Sequence, residues 1–200
     1  MIKISIESER IQLGFAESVI SYFDFLTRDY GFVLIKADPT FVRFESPNVF
    51  ANIYHGRMSF EIGFEIGYLV HLSNEPEQFF FIGDILSLTN AREEPGFTHL
   101  QANTAQGVKE ATAKLAVLVK RYAGSALSNA PGIFAQLVDI QSRKSDELIR
   151  KWELADIREK VGKAWQEKNY GKIVELFDPV SKDLTLAELK KLEYAKKHWQ

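Results

Sequence analysis

Apolar and polar residues alternate in four short runs of the first half of the chain, at 32–36, 41–46, 49–55 and 58–68. An alternation with a period of two is typical of strands that bury one face. The connectors between the runs contain Pro, Asn, Asp or Gly, which are the residues of tight hairpin turns. The pattern therefore predicts an antiparallel β-meander.

Two-residue loops would fix the register of all three hairpins. Counting outward from them places Ile35 opposite Val42, Val42 opposite Ile53, and Ala51 opposite Phe60. Directly opposed residues share a sheet face. The three hairpins then give one apolar, buried face made of Val33, Ile35, Val42, Phe44, Val49, Ala51, Ile53, Met58, Phe60 and Ile62.

Helical periodicity precedes and follows the meander. Apolar residues at helical spacing predict an amphipathic helix over 9–30, and Gly31 supplies the left-handed residue that ends it. A fifth strand is predicted at 78–82, followed by a short helix through Leu88 that Asp84 caps. The second half predicts helices over 104–121, 131–154 with a break between 141 and 147, 157–168, 170–177 and 186–198. Thr185 and Glu188 form a capping box for the last of these helices.

Composition divides the chain near residue 100. The first half holds 13 of the 15 Phe and has 7 basic against 14 acidic residues, whereas the second half has 18 basic against 13 acidic residues. A turn-rich stretch at 90–98 joins the halves. We therefore expect an α+β fold in which an N-terminal helix packs on an antiparallel β-meander, followed by an all-helical C-terminal half. The corresponding domains are 1–100 and 101–200.

Two stretches carry resemblances. The sequence from Ala164 to Tyr170, continued by Ile173 to Phe177 and by 184–198, resembles a tetratricopeptide-type helical hairpin. The order of an N-terminal helix, Tyr30-Gly31-Phe32, a meander and basic helices resembles small uncharacterised bacterial proteins, some of which are found among toxin-immunity proteins. This resemblance implies a bacterial binding protein.

Motifs for common chemistries are lacking in the sequence. There is no Cys, so thiolate chemistry and disulfides are excluded. The four His show no ligand spacing, and phosphate-binding glycine loops and nucleophile elbows are absent. We expect no cofactor, no metal and no catalytic residue. The formal net charge of −2 does not favour nucleic acid, and no apolar run is long enough to span a membrane. No signal peptide is evident, and a cytoplasmic location is expected.

The predicted register gives the meander an unusual second face. It carries Phe and Tyr among charged residues, whereas a solvated face would be mostly polar. Aromatic residues and Arg inside a charged rim are typical of protein interfaces. The candidate interaction residues are Phe32, Leu34, Phe41, Arg43, Phe50, Tyr54 and Arg57. Either the C-terminal helices or a partner would cover them.

The sequence therefore favours a non-catalytic protein that acts through protein–protein contact of the immunity or regulatory type, with another protein or a second copy as partner. The alternative is an enzyme or small-ligand-binding protein with a cleft between the halves. That alternative would use Glu61, Glu65, Arg43 or His71. On the predicted strands, Glu61 and Glu65 share the face opposite the core, where solvated charges are also expected.

Overall fold

The computed structural model of the protein describes residues 10–69, 77–91 and 100–199. By its contacts the chain divides into two compact units, residues 1–141 and 142–200. The first unit contains a five-stranded antiparallel sheet with helices, and the second unit is helical. The predicted α+β class is confirmed. A domain boundary at residue 100 stays a prediction, because residues 92–99 of the joining stretch lie outside the described residues.

The elements of the first unit follow the predicted order. They are α1 (Phe15–Tyr22), α2 (Asp24–Tyr30), β1 (Val33–Asp38), β2 (Phe41–Glu45), β3 (Val49–His55), β4 (Ile62–Tyr68), β5 (Phe79–Phe81), α3 (Ile82–Leu88), α4 (Ala105–Tyr122), α5 (Gly124–Leu127) and the start of α6 (Ile133–Gln166). The second unit contains the rest of α6, α7 (Tyr170–Phe177), a 3₁₀ helix (Asp178–Asp183) and α8 (Leu186–His198). The strands lie in sequence order, β1-β2-β3-β4-β5.

The central hairpin has the predicted register, with Val42 opposite Ile53. The third hairpin does not: Ala51 pairs with Ile66 rather than with Phe60. Residues 56–61 form a longer loop, in which Phe60 has a positive φ of 54°. The shift covers six positions, an even number, so β4 still presents alternate apolar residues to the same face as β3.

The predicted register of the first hairpin is also wrong, but for a different reason. Its register shifts between Leu34 and Lys36, so Ile35 is the extra residue of a β-bulge and Val42 pairs with Ala37. Val33 and Ile35 were expected on the buried face, but they are 61% and 54% exposed. β1 is an edge strand, and the bulge removes it from the alternation of its neighbour.

The predicted N-terminal helix is interrupted at Phe23, which separates α1 from α2. Phe23 and Phe25 are both buried, and their ring centroids lie 5.7 Å apart. Gly31 ends α2 as predicted, with a φ of 70°, and its N–H donates to the Thr27 carbonyl oxygen. The interruption therefore allows two aromatic rings two residues apart to enter one core.

Helix α6 is continuous from Ile133 to Gln166. The predicted break between 141 and 147 is therefore wrong, and the helix predicted at 157–168 begins as part of α6. This segment is rich in Lys, Glu, Arg and Gln, which have favourable helix propensities without an apolar partner. The apolar pattern is interrupted there because the segment is exposed, not because the helix ends.

Each unit has its own hydrophobic core. In the first unit, one face of the sheet packs with α1, α2 and α4, and this core includes Phe15, Val19, Phe23, Val42, Phe44, Ile53, Phe64, Ile66, Leu115 and Val119. We call this side of the sheet the core face. In the second unit, α6, α7 and α8 bury Val161, Ala164, Ile173, Val174, Phe177, Leu184, Leu192 and Ala195.

The capping box of α8 is present, and it provides a test of the second unit. The Glu188 N–H donates to Thr185 Oγ1 at 3.3 Å, and the Thr185 N–H donates to Glu188 Oε2 at 2.7 Å. We expect Thr185→Ala to lower the free energy of unfolding by about 1 kcal/mol, because one N-terminal N–H loses its acceptor. Chemical denaturation followed by circular dichroism measures the change. Thr27→Ala, at an exposed position inside α2, is the control; an equal loss in both variants would contradict the cap.

Candidate interaction surface

The side of the sheet opposite the core face, here called the outer face, contains three cross-strand rows. Phe41, Tyr54 and Gly63 form the first row, and Arg43, Asn52, Glu65 and Phe81 form the second. The third row is Glu45, Phe50, Gly67 and Phe79. Aromatic residues are therefore present in every row.

Two of these aromatic residues lie across glycines of the neighbouring strand. Phe50 pairs with Gly67, and Tyr54 pairs with Gly63. A Cβ atom added at Gly67 would overlap the Phe50 ring, and one added at Gly63 would overlap the Tyr54 ring. The glycines therefore let both rings lie flat on β4, and Phe50 is fully buried although it is on the outer face.

The Arg43 side chain packs over the Phe50 ring. Its guanidinium carbon lies 4.4 Å from the centre of the Phe50 ring, a cation–π arrangement. Arg43 Nε donates to Glu45 at 2.6 Å, and its two terminal nitrogens donate to Glu77 at 2.9 and 2.6 Å. The hydrogen bonds that Arg43 donates to Glu77 are the main reason that the pKa of Arg43 is raised. The outer face thus has a fixed, charge-paired centre.

A carboxylate-rich region lies beside this centre. Asn52 Nδ2 donates to Glu65 at 3.2 Å, and burial raises the pKa of Glu65 above its usual value. Burial also raises the pKa of Tyr54 to about 12, and the charges of Glu61 and Glu65 add to the effect. The region therefore favours groups that bring a positive charge or donate a hydrogen bond.

Phe79 and Phe81 are the exposed aromatic residues of the outer face. They are 40% and 43% exposed, and their ring centroids lie 5.5 Å apart in an edge-to-face arrangement. The sequence predicts a strand here but does not say which strand it joins. Phe80 pairs with Ile66 on the core face. Because successive side chains of a strand point to opposite faces, Phe79 and Phe81 lie on the outer face.

The structure brings four of the seven candidate residues together: Phe41, Arg43, Phe50 and Tyr54 share the outer face. Phe32 does not join them, because it precedes β1 and is 1% exposed in the core of the first unit. Leu34 pairs with Phe44 on the core-face side of the edge strand and is 39% exposed. Arg57 is an exposed residue of the loop after β3. The prediction that these three residues share one face with the other four is therefore wrong.

A buried polar cluster lies around His55, at the end of β3. His55 is 1% exposed, and its Nε2 donates to the Ala102 carbonyl oxygen at 2.8 Å. Its Nδ1 accepts from Arg10 at 3.1 Å, and Arg10 also donates to the Gly56 carbonyl oxygen at 3.2 Å. Burial lowers the pKa of His55, and the charge of Arg10 lowers it further. The neutral imidazole therefore connects three segments of the first unit, which no local sequence pattern reveals.

A cavity of about 390 Å³ lies beside β4. Its walls are apolar except for Tyr54 and Glu61, and they include Phe64, Phe81 and Leu115. Of the residues suggested for an enzyme, Arg43 is paired with Glu45 and Glu77, and His71 lies outside the described residues. A cleft between the two halves stays a prediction.

Within residues 10–69, 77–91 and 100–199, no group of three or more His, Cys, Asp or Glu side chains is arranged to hold a metal ion. No helix in the part of the chain that the structure describes combines the length and the apolar character needed to cross a membrane. No protein-family model, curated protein or solved structure matches the chain.

The contact between the aromatic rings and the glycines leads to a stability prediction. We expect Gly67→Ala to destabilise the first unit by about 1–3 kcal/mol, because the new methyl group would overlap both the Gln78 carbonyl oxygen and the Phe50 ring. Gly83→Ala is the matched control, because a Cβ there meets nothing within 4 Å and lies in helix α3. Denaturant unfolding compares the two. A loss in Gly67→Ala no larger than that in Gly83→Ala would contradict the close ring contact.

The environment of Tyr54 leads to a prediction for alkaline pH. Because folding raises the pKa of Tyr54 to about 12, its neutral form stabilises the fold, and this contribution is lost as the pH rises from about 10 towards 12. In a titration followed by phenolate absorbance, the wild type should show a late phase that Tyr54→Phe lacks. Circular dichroism over the same pH range verifies that the fold persists. Loss of a phenol from the main phase near pH 10 in Tyr54→Phe would refute the shift.

Proposed function

We propose that this protein acts by binding another protein through the outer face of its sheet. The observation that carries the proposal is the exposed pair Phe79 and Phe81 of β5, on the same sheet face as the half-buried Phe41 and Tyr54 of β2 and β3. Aromatic side chains are enriched among the residues that contribute most to protein interfaces. A binding role of the immunity or regulatory type, in the cytoplasm, is the setting that we propose.

The charges of the outer face indicate the chemistry of the partner. Glu45 and Glu77 are paired with Arg43, whereas Glu61 and Glu65 lie close enough to Tyr54 to raise its pKa. Together with Glu77, the described outer face carries more carboxylates than cations. A partner segment that offers Lys or Arg together with apolar side chains would complement this surface, because attraction between opposite charges orients the encounter.

The rigid centre of the outer face supports the same proposal. Phe50 is held between Gly67 and Arg43, and Arg43 is held by two carboxylates. Side chains that are already ordered lose little rotational freedom when a partner binds. Arg43 and Phe50 therefore serve as the support, and Phe79 and Phe81 serve as the contact residues.

Selection from a displayed library of random peptides tests the proposal directly. We expect the wild-type chain to select peptides rich in Lys or Arg and in apolar residues. Phe81→Ser should weaken their binding by about tenfold or more, since it removes an exposed anchor. Glu65→Gln and added salt should also weaken binding. Fluorescence anisotropy of a selected peptide measures each affinity.

Val117→Ser is the matched control, because Val117 is 61% exposed on helix α4 and is not part of the outer face. Its affinity for the peptide should equal that of the wild type. Selected peptides that bind Phe81→Ser as tightly as the wild type would refute the proposal, as would a selection that yields no binding peptide.

A further inference from the structure

Helix α6 carries three large apolar side chains that are exposed in its middle. Leu148, Ile149 and Trp152 are 46%, 47% and 64% exposed. They lie within one helical turn in the second unit. Large apolar residues grouped on one helix are typical of a surface that contacts another helix.

These residues lie on the side of α6 opposite the core of the second unit. Successive residues of an α-helix are about 100° apart, so Leu154, Ile157 and Val161 fall on one side and Leu148 and Trp152 on the other. The first three belong to the core of the second unit or pack against it. The exposed side chains therefore have no part in that core.

Two ion pairs fix the rotation of α6 about its axis. Arg150 donates to Asp183 at 2.6 Å, and Arg158 donates to Glu188 at 2.6 Å. Both arginines are on the side of α6 that faces the core of the second unit. They hold Leu148 and Trp152 outward.

The sequence of this outward side follows a heptad. Ser145 and Trp152 occupy a positions, and Leu148 and Ala155 occupy d positions. A seam with this spacing of three and four residues is how two helices pair in a coiled coil. Ile149 flanks the seam and widens its apolar surface.

The charges beside the seam are divided by sign. Lys144 and Lys151 lie along one flank, and Glu153 and Asp156 lie along the other, where Asp156 also accepts from Lys160 of its own helix at 2.6 Å. In a parallel pair of helices the basic flank of one copy meets the acidic flank of the other, whereas in an antiparallel pair each flank meets its own sign. We propose that α6 pairs with α6 of a second copy of this chain, parallel and in register, with Lys151 facing Asp156 of the second copy. This proposal does not rest on the function proposed for the outer face.

The seam is short, and this sets the expected affinity. Stable interfaces bury about 1,200–2,000 Å², more than two helical turns on each copy provide. We therefore expect a reversible dimer with a dissociation constant between about 10 µM and 1 mM. Sedimentation equilibrium of the full chain over this concentration range should show a monomer–dimer equilibrium.

Substitutions in the seam test which residues form the dimer. Leu148→Ser and Trp152→Ser should each weaken association by about tenfold or more. Leu186→Ser is the matched control, because Leu186 is 80% exposed on α8, outside the seam. Lys151→Glu should also weaken association, and adding Asp156→Lys should restore it. Circular dichroism shows whether each variant keeps its helix content.

Cross-linking tests the direction of pairing. Because the sequence contains no native Cys, any disulfide must form through the introduced residue. In a parallel, in-register dimer Ser145 lies beside its own copy, so Ser145→Cys should form a disulfide-linked dimer on oxidation. In an antiparallel pair centred on Leu148 and Ile149, the two copies of residue 145 would be about 10 Å apart along the axis. Glu147→Cys, on the opposite side of α6, is the control and should form no disulfide-linked dimer.

Three results would overturn the proposal. The first is a wild-type chain that is monomeric up to about 1 mM. The second is a dimer that Leu148→Ser and Trp152→Ser leave unchanged, since the contact would then lie elsewhere. The third is equal cross-linking of Ser145→Cys and Glu147→Cys, or none in either, which would exclude parallel pairing along this seam.

Discussion

The first unit depends on the burial of one face of its sheet against α1, α2 and α4. Val42, Ile53 and Ile66 lie on three neighbouring strands of this face, and each is fully buried. Burying an aliphatic side chain of this size contributes about 1.5–3 kcal/mol, so the three strands cannot change register without a large loss. Because side chains alternate, that register also determines which residues reach the outer face.

On the outer face, large aromatic residues of β3 pair with glycines of β4, and this pairing stabilises the face. Phe50 and Tyr54 would leave exposed apolar area on an ordinary strand, but opposite Gly67 and Gly63 they lie flat on the backbone of β4. Glycine weakens a strand by itself, and the ring on its surface compensates by shielding the backbone from water. The result is an outer face with little freedom to rearrange, on which Phe79 and Phe81 remain accessible.

The sequence predicts most accurately what alternation alone determines. The β2–β3 hairpin and its buried set follow from a period of two and a tight turn. The loop at 56–61 shifts the register of β4 by an even number of residues. The alternation therefore predicts the correct sheet face for β4, although every predicted residue pair between β3 and β4 is wrong. The bulge at Ile35 adds one residue, and that one residue reverses the faces of Val33 and Leu34, which precede it. Neither loop length nor a bulge leaves a signal in apolar spacing.

The candidate surface is predictable to the same extent. Phe41, Arg43, Phe50 and Tyr54 belong to the strands whose alternation is correct, and they share the outer face. Phe79 and Phe81 could not be assigned, because a three-residue strand fits either face until its partner is known. The contact of His55 with Ala102 links positions 47 residues apart, and no local pattern encodes such a contact.

The middle of α6 shows how one physical cause accounts for both a wrong prediction and an exposed surface. A helix that packs on nothing needs no apolar face, so its sequence between 141 and 147 looks like a break although its residues favour helix. The ion pairs of Arg150 and Arg158 with Asp183 and Glu188 anchor the middle and the C-terminal part of α6. While they face water, Leu148 and Trp152 contribute to the helix only as an i,i+4 apolar pair, about 0.2–0.5 kcal/mol. Contact with a second copy would bury both side chains and stabilise the exposed middle of α6.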